Sequence, residues 1–277
     1  MTRHQSQIAA LEWYLDHGVS EPLESDPQDR TAWLNAQPLT QEKHEKIPPP
    51  EAPVTAPPAF LGTAEARTEA VRLAASAASL EELREAIGQF EGFAISKTAT
   101  NLVFSDGNPK APVMLVGEAP GADEDRLGKP FVGVSGQLLD KILKAIGLDR
   151  HSEDPLNSIY ISNILNWRPP GNRNPSPAEI ELAMPFIERH IQLARPRLLI
   201  FCGGVAAKAL LKTEQGISRL RSRWHDYKTV TPELTRLCTD SIPALCTYHP
   251  SYLLRTPAQK KLSWADMLEI DSKIRAL

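Results

Sequence analysis

Cysteine is scarce in this 277-residue chain: only Cys202, Cys238 and Cys246 occur, and no two form a CxxC pair. That spacing suggests neither a disulfide framework nor a sequence-local metal knuckle, and reads as three small hydrophobes bound for the core. Long apolar runs are missing too. No stretch approaches the roughly 20 residues that span a bilayer. Glu12 and Asp16 interrupt the first 18 residues, where a secretory signal needs continuous apolar sequence, so the expected location is the cytoplasm. Charge of one sign is also lacking, with a formal net of −3.

The charge is unevenly spread. Residues 1–75 hold 11 acids and 6 bases; the remainder hold 23 acids and 25 bases. Arg168 with Arg173, then Arg219, Arg221 and Arg223, then Arg255, Lys260 and Lys261 form local basic clusters of a kind that contacts phosphate. Taken singly, each reads more readily as a solvated face.

Composition divides the chain. Ile8, Leu11, Trp13 and Leu15 have helical spacing, so residues 1–20 are expected to form a short amphipathic helix. Nine prolines crowd residues 21–58, so residues 21–75 are expected to be an acidic, proline-rich, largely disordered linker, which offers a segment for a protein partner. A folded domain is expected over 76–277.

Within that domain the pattern alternates. Helices are predicted over 80–90, 135–146, 176–193, 205–211 and 263–274, and strands over 113–117, 159–163, 198–202 and 243–249. Ser176-Pro177-Ala178-Glu179 is a capping box with proline at the first helical position. The predicted fold is therefore α/β, a central, mostly parallel four-stranded sheet with helices on both faces. Ligands of such sheets bind outside the carboxyl ends of the strands. Three polar clusters fall there: Gly117-Glu118-Ala119-Pro120-Gly121, Asn163, and His249-Pro250. Each alone reads as turn capping; together they predict one site.

Those clusters carry a resemblance. Gly117-Glu118-Ala119-Pro120-Gly121-Ala122-Asp123-Glu124-Asp125, then Gly128-Lys129-Pro130-Phe131-Val132-Gly133, then Asn163 with Arg168-Pro169-Pro170-Gly171-Asn172-Arg173, then His249-Pro250-Ser251-Tyr252-Leu253-Leu254-Arg255, resemble the family 4 uracil-DNA glycosylases in type and order over about residues 80–270. The resemblance implies a monofunctional hydrolase that flips uracil out of DNA and cuts its N-glycosidic bond, starting base-excision repair as a monomer.

It also implies roles. Phe131 stacks on the base, and Asn163 reads its Watson–Crick edge, since one amide oxygen and one amide nitrogen match uracil N3–H and O4. His249 donates to the developing anion at O2. Gly117, Ala119 and Asn172 line the base pocket. Tyr252 or Leu253 fills the stack left by the flipped nucleotide, while Arg168, Arg173, Ser251 and Arg255 contact DNA. The water nucleophile is assigned to Glu118, with Glu124 second, because Ala119 stands where related families place an acid or amide.

One departure is sharp. The family holds an iron–sulfur cluster on four cysteines, whereas this chain has Phe90, Phe93, Trp167 and Ala183 at the matching places. No cofactor is therefore expected, with Phe90, Phe93 and Trp167 packing together instead. Two readings remain open at this point. One is the enzyme, for uracil or for another deaminated base; the other is a weakly catalytic or non-catalytic DNA-binding relative recruited to a repair or replication assembly.

Overall fold

The computed structural model describes residues 63–276 apart from Thr239. The helix expected over 1–20 and the first part of the expected linker lie outside the described residues.

The described chain opens with helix α1 (Thr63–Ser76), inside the stretch expected to be linker. Ala66, Ala70 and Ala74 recur every four residues and are buried, which gives the helix a narrow face for close packing. Arg67 Nη1 bonds Glu181 Oε1 at 2.7 Å. An alanine stripe among charges carries little hydrophobic contrast, so composition concealed this helix. Helix α2 (Leu80–Gln89) follows, capped by Ser79 and buried through Leu83 and Ile87.

Strands and helices then alternate. Strand β1 (Asp106–Gly107), β2 (Val113–Gly117), α3 (Ala122–Leu127), α4 (Val134–Ala145), β3 (Tyr160–Asn163), α5 (Pro177–Ala194), β4 (Leu198–Cys202) and α6 (Gly204–Leu211) lead to a last third of α7 (Ile217–Leu220), β5 (Trp224–Tyr227), α8 (Pro232–Thr235), β6 (Ile242–Thr247), α9 (Pro250–Arg255) and α10 (Lys260–Ile274). The capping box at Ser176 forms as the sequence predicts, with Glu179 N on Ser176 Oγ at 3.2 Å and Ser176 N on Glu179 Oε2 at 2.7 Å.

The sheet has six strands in the order β1-β3-β2-β4-β6-β5. Its central four are parallel, and β1 and β5 add antiparallel edges. The expected four-stranded sheet is corrected accordingly. Asp-Gly is too short to show a period, and Trp224-His225-Asp226-Tyr227 is too polar to stand out as a strand.

Burial explains why the central strands were legible. Every residue of β2 and β4 is buried, because helices cover both faces. Met114, Val116, Leu199 and Phe201 share one core with α1, α2 and α5, whereas Val113, Leu115, Leu198 and Ile200 share the other with α4 and α10. The chain passes from β2 to β3 on one side, then returns across β2 to β4. This reversal places a crevice at the carboxyl ends of those strands.

Candidate active site

The crevice is occupied by a cleft of about 910 Å³, with Glu118, Phe131, Asn163, Asn172, Tyr252 and Arg255 among its walls. Gly117, the last residue of β2, is buried behind those walls and, contrary to expectation, does not itself line the cleft. A Cβ there would lie 2.6 Å from Phe131 Cζ and closer still to Asn163 Oδ1, so both side chains rest where any other residue would put its own. The missing side chain is what lets an aromatic ring and an amide pack against this strand end.

Asn163 ends β3 and is buried, yet its Oδ1 has no hydrogen-bond partner. An orphaned buried acceptor is costly, and here it belongs to a residue that lines a cleft, where a ligand can bring a donor. Phe131 is also buried, at a φ of 54°, a left-handed conformation that bulky residues rarely adopt. Its ring lies 5.4 Å from that of His249, inclined by 31°.

His249 follows β6 and caps α9. Its Nδ1 accepts from Ser251 N at 3.2 Å and faces Ser251 Oγ at 2.8 Å. A nitrogen that accepts from an amide carries no proton, so the neutral ring holds its proton on Nε2. Burial, with the Arg255 charge second and Glu124 opposing, pushes the imidazole down to about 4, which keeps it neutral at pH 7. Gly203, at φ 98°, allows its close approach, since a Cβ there would sit 3.2 Å from His249 Cβ.

The two candidate carboxylates differ. Glu124 Oε1 accepts from Val132 N (2.9 Å) and Gly133 N (3.0 Å), and Oε2 accepts from Gly121 N (3.1 Å). Glu124 is thus a clasp between two loops, bound to three backbone N–H groups, although it too lines the cleft. Glu118 lines the cleft, its side chain accepts no hydrogen bond from a described residue, and burial raises its pKa. Ala119 contributes only a methyl group, packed against the core.

The expected DNA contacts separate as well. Arg255, Ser251 and Tyr252 line the cleft mouth, with Tyr252 packed on Tyr248 at 5.0 Å. Leu253 is wholly buried under α9, so it cannot fill a base stack; this half of the expectation is corrected. The apolar side chain left exposed is the neighbour, Leu254. The segment is also a short helix rather than a loop. Arg173 is clamped by Glu179 at 2.6 and 2.8 Å, which holds that carboxylate down to about 2. Arg168 does not line the cleft; its Nε bonds Asn172 Oδ1 at 2.7 Å.

Sequence reasoning missed the supports. Asp125 Oδ1 accepts from Thr100 N and Asn101 N, which fixes the loop before β1. Asp266, buried in α10, binds Arg221 at 2.8 Å and Thr247 Oγ1 at 2.9 Å, anchoring the strand end that delivers His249. The acidic run at 123–125 offered a signal for Asp125; Asp266, one acid in an ordinary helix, gave none.

Away from the cleft, Phe90 and Phe93 meet edge to face at 5.0 Å, and Phe90 lies 5.3 Å from Phe186. Ala183 is buried beside them, and Trp167 packs on the same core with its indole N–H unpartnered.

Comparison with known proteins places this geometry. Residues 104–268 match the uracil DNA glycosylase superfamily. The chain is 36% identical over 179 residues to the type-4 uracil-DNA glycosylase of Pyrobaculum aerophilum, covering 65% of this chain and 86% of the relative. It is 33% identical over 196 residues to that of Archaeoglobus fulgidus, covering 69% and 92%. The enzyme of Sulfurisphaera tokodaii is 32% identical over 197 residues, covering 69% and 83%.

These matches overturn the expectation that no cofactor is carried, because the type-4 enzymes are iron–sulfur enzymes. The expectation of none is withdrawn. Phenylalanine, tryptophan and alanine at 90, 93, 167 and 183 carry no thiolate for iron, so those four side chains do not fit as its ligands. By the superfamily match across more than half its length, and by relatives that it covers almost end to end, the chain belongs to the uracil-DNA glycosylase superfamily and to its type-4 branch.

Proposed function

We propose that the cleft hydrolyses the N-glycosidic bond of a uracil flipped out of DNA, with Asn163, Phe131, His249 and Glu118 as its working side chains. Phe131 offers the base a face, and such stacking contributes about 1–3 kcal/mol per base. Asn163 Oδ1, the orphaned acceptor, takes the N3 hydrogen, and its amide nitrogen donates to O4. Cytosine has an acceptor at N3, which would leave the same oxygen unsatisfied.

Bond breaking leaves a cation at the sugar and an anion spread over the base. His249, with its proton on Nε2, donates to O2 as that charge develops. One preorganised donor of this kind contributes about 2.7–4 kcal/mol. Water then bonds C1′ and loses a proton, uracil leaves with the bonding pair, and an abasic site remains. Glu118, raised by burial, is the group proposed to orient that water and take its proton. Tyr252 is the side chain proposed to enter the vacated stack, and Arg255 to hold phosphate.

The observation that carries this reading is the unpartnered, buried Oδ1 of Asn163, a residue that lines the same cleft as the Phe131 ring and the neutral imidazole of His249. A non-catalytic DNA binder needs none of that arrangement. The protein is proposed to act as a monomer on DNA in the cytoplasm, and its acidic front to contact a protein partner. Incubation with oligonucleotides carrying one uracil, cytosine or thymine tests the chemistry: free base is expected from the uracil substrate alone.

A further inference from the structure

Phe131 holds a left-handed backbone at the centre of the cleft, and something must keep it there. The peptides that follow it are held by the Glu124 clasp, which accepts from Val132 N and Gly133 N. The carbonyls of the peptides on both sides of it are taken by Arg150, a residue on the connection between α4 and β3 that no sequence motif singled out. Arg150 Nη1 donates to Pro130 O at 2.8 Å, and Nη2 to Phe131 O at 3.0 Å. The same guanidinium is held from behind. Nη1 lies 3.2 Å from Asp106 Oδ2, while Nε and Nη2 lie 2.9 and 2.7 Å from Asp140 Oδ1.

A guanidinium has five N–H donors in one plane, and here four make hydrogen bonds, two of them to consecutive carbonyls, while Nη2 also sits in an ion pair with Asp140. The side chain is 3% exposed. On the other side, Gly136 lets α4 come up against this carbonyl, since a Cβ there would collide with Phe131 O. The strained residue is thus gripped through both its peptide groups.

We infer that Arg150 is the positioning residue that sets the height and tilt of the Phe131 ring over Gly117, and so sets how tightly the flipped base is held. The inference rests on the stacking role proposed for Phe131. Lysine cannot substitute, because an ammonium is a single point with three donors and cannot span two carbonyls and two carboxylates in a plane.

The test is a double-mutant cycle read by inhibition with free uracil, which reports the base pocket without the DNA backbone. Arg150→Lys should raise the uracil Ki about tenfold while leaving the affinity for uracil-free duplex within about twofold. Phe131→Ala should raise Ki as well. Added to Phe131→Ala, Arg150→Lys should raise it less than about twofold further, because the guanidinium acts through the ring that is gone. Equal factors in both backgrounds, or an unchanged Ki for Arg150→Lys alone, would overturn the assignment. If Arg150→Lys does not fold, Asp140→Asn carries the same cycle: this half-exposed partner should give a smaller rise, about twofold to threefold, that vanishes in the Phe131→Ala background. Wild-type protein that neither releases uracil nor binds it overturns the site reading itself, and Arg150's role with it. An active wild type with additive penalties overturns Arg150's role alone.

Discussion

The backbone N–H of Ser251 donates to Nδ1 of His249 across 3.2 Å, and this contact decides which imidazole nitrogen faces the cleft with a proton. The donor is main chain, so the Ser251 hydroxyl at 2.8 Å is an auxiliary. Ser251→Ala should therefore lower the rate of uracil release by less than about tenfold, whereas His249→Ala should lower it by about 10²–10³. Single-turnover rates on one uracil substrate check the ranking.

Asn163 ends a core strand with an unpartnered oxygen, so its amide is kept at a cost to stability. Replacing a buried unsatisfied polar group by an apolar one of similar shape relieves roughly 1–3 kcal/mol. Asn163→Leu should melt several degrees above wild type and release no uracil. Calorimetry beside the activity assay reads both.

Gly117 tests the seat of the Phe131 ring and the Asn163 amide. In Gly117→Ala the new methyl group meets Phe131 Cζ at 2.6 Å and the Asn163 amide, while β2 keeps its ladder to β3 and β4. The expected protein is folded, with a far-ultraviolet spectrum like wild type, and has at least about 100-fold lower kcat/KM, the size expected when the reacting groups are misplaced by about 1 Å.

The pH dependence follows from the same ring. Folding lowers the His249 pKa from an ordinary 6.5 to about 4, through burial first and Arg255 second. Between those values the unfolded chain binds a proton that the native state refuses, so this contribution to stability is complete above pH 6.5 and lost as pH falls towards 4. His249→Gln should consequently equal wild type in stability at pH 8 and exceed it by about 1–2 kcal/mol at pH 5. Urea titrations at the two pH values measure the difference. The neutral donor also predicts a rate that does not titrate with His249 between pH 6 and 8.

Two arginines of the original motifs should behave differently on DNA. Arg255 lines the cleft mouth and forms no ion pair among the described residues, whereas Arg173 is clamped by Glu179. Arg255→Ala should weaken binding and reduce the salt slope by about one unit; Arg173→Ala should change the slope by clearly less. Binding isotherms across a salt series separate them.

The sequence showed what depends on pattern and hid what depends on partnership. The strand around Leu115 and that around Ile200 were legible because burial on both faces demands unbroken apolar runs, and the Ser176 cap because its chemistry is local. The alanine face of α1 and the edge strands β1 and β5 lacked such contrast. At the site, Phe131, Asn163 and His249 converge as motif order implied. Glu124 is already bound to three backbone N–H groups and Leu253 is already buried, and residue type cannot tell either. Arg150 was invisible for the same reason: its meaning lies in four acceptors brought from distant parts of the chain.

The most direct test of the central claim is alkaline cleavage of a single-uracil oligonucleotide after incubation with wild-type protein, His249→Ala and Asn163→Ala. The account predicts strand breaks at the uracil with wild type and losses of about 10²–10³ in rate for His249→Ala. No product from wild type on single-stranded, U·G and U·A substrates, or wild-type rates from His249→Ala, would contradict it.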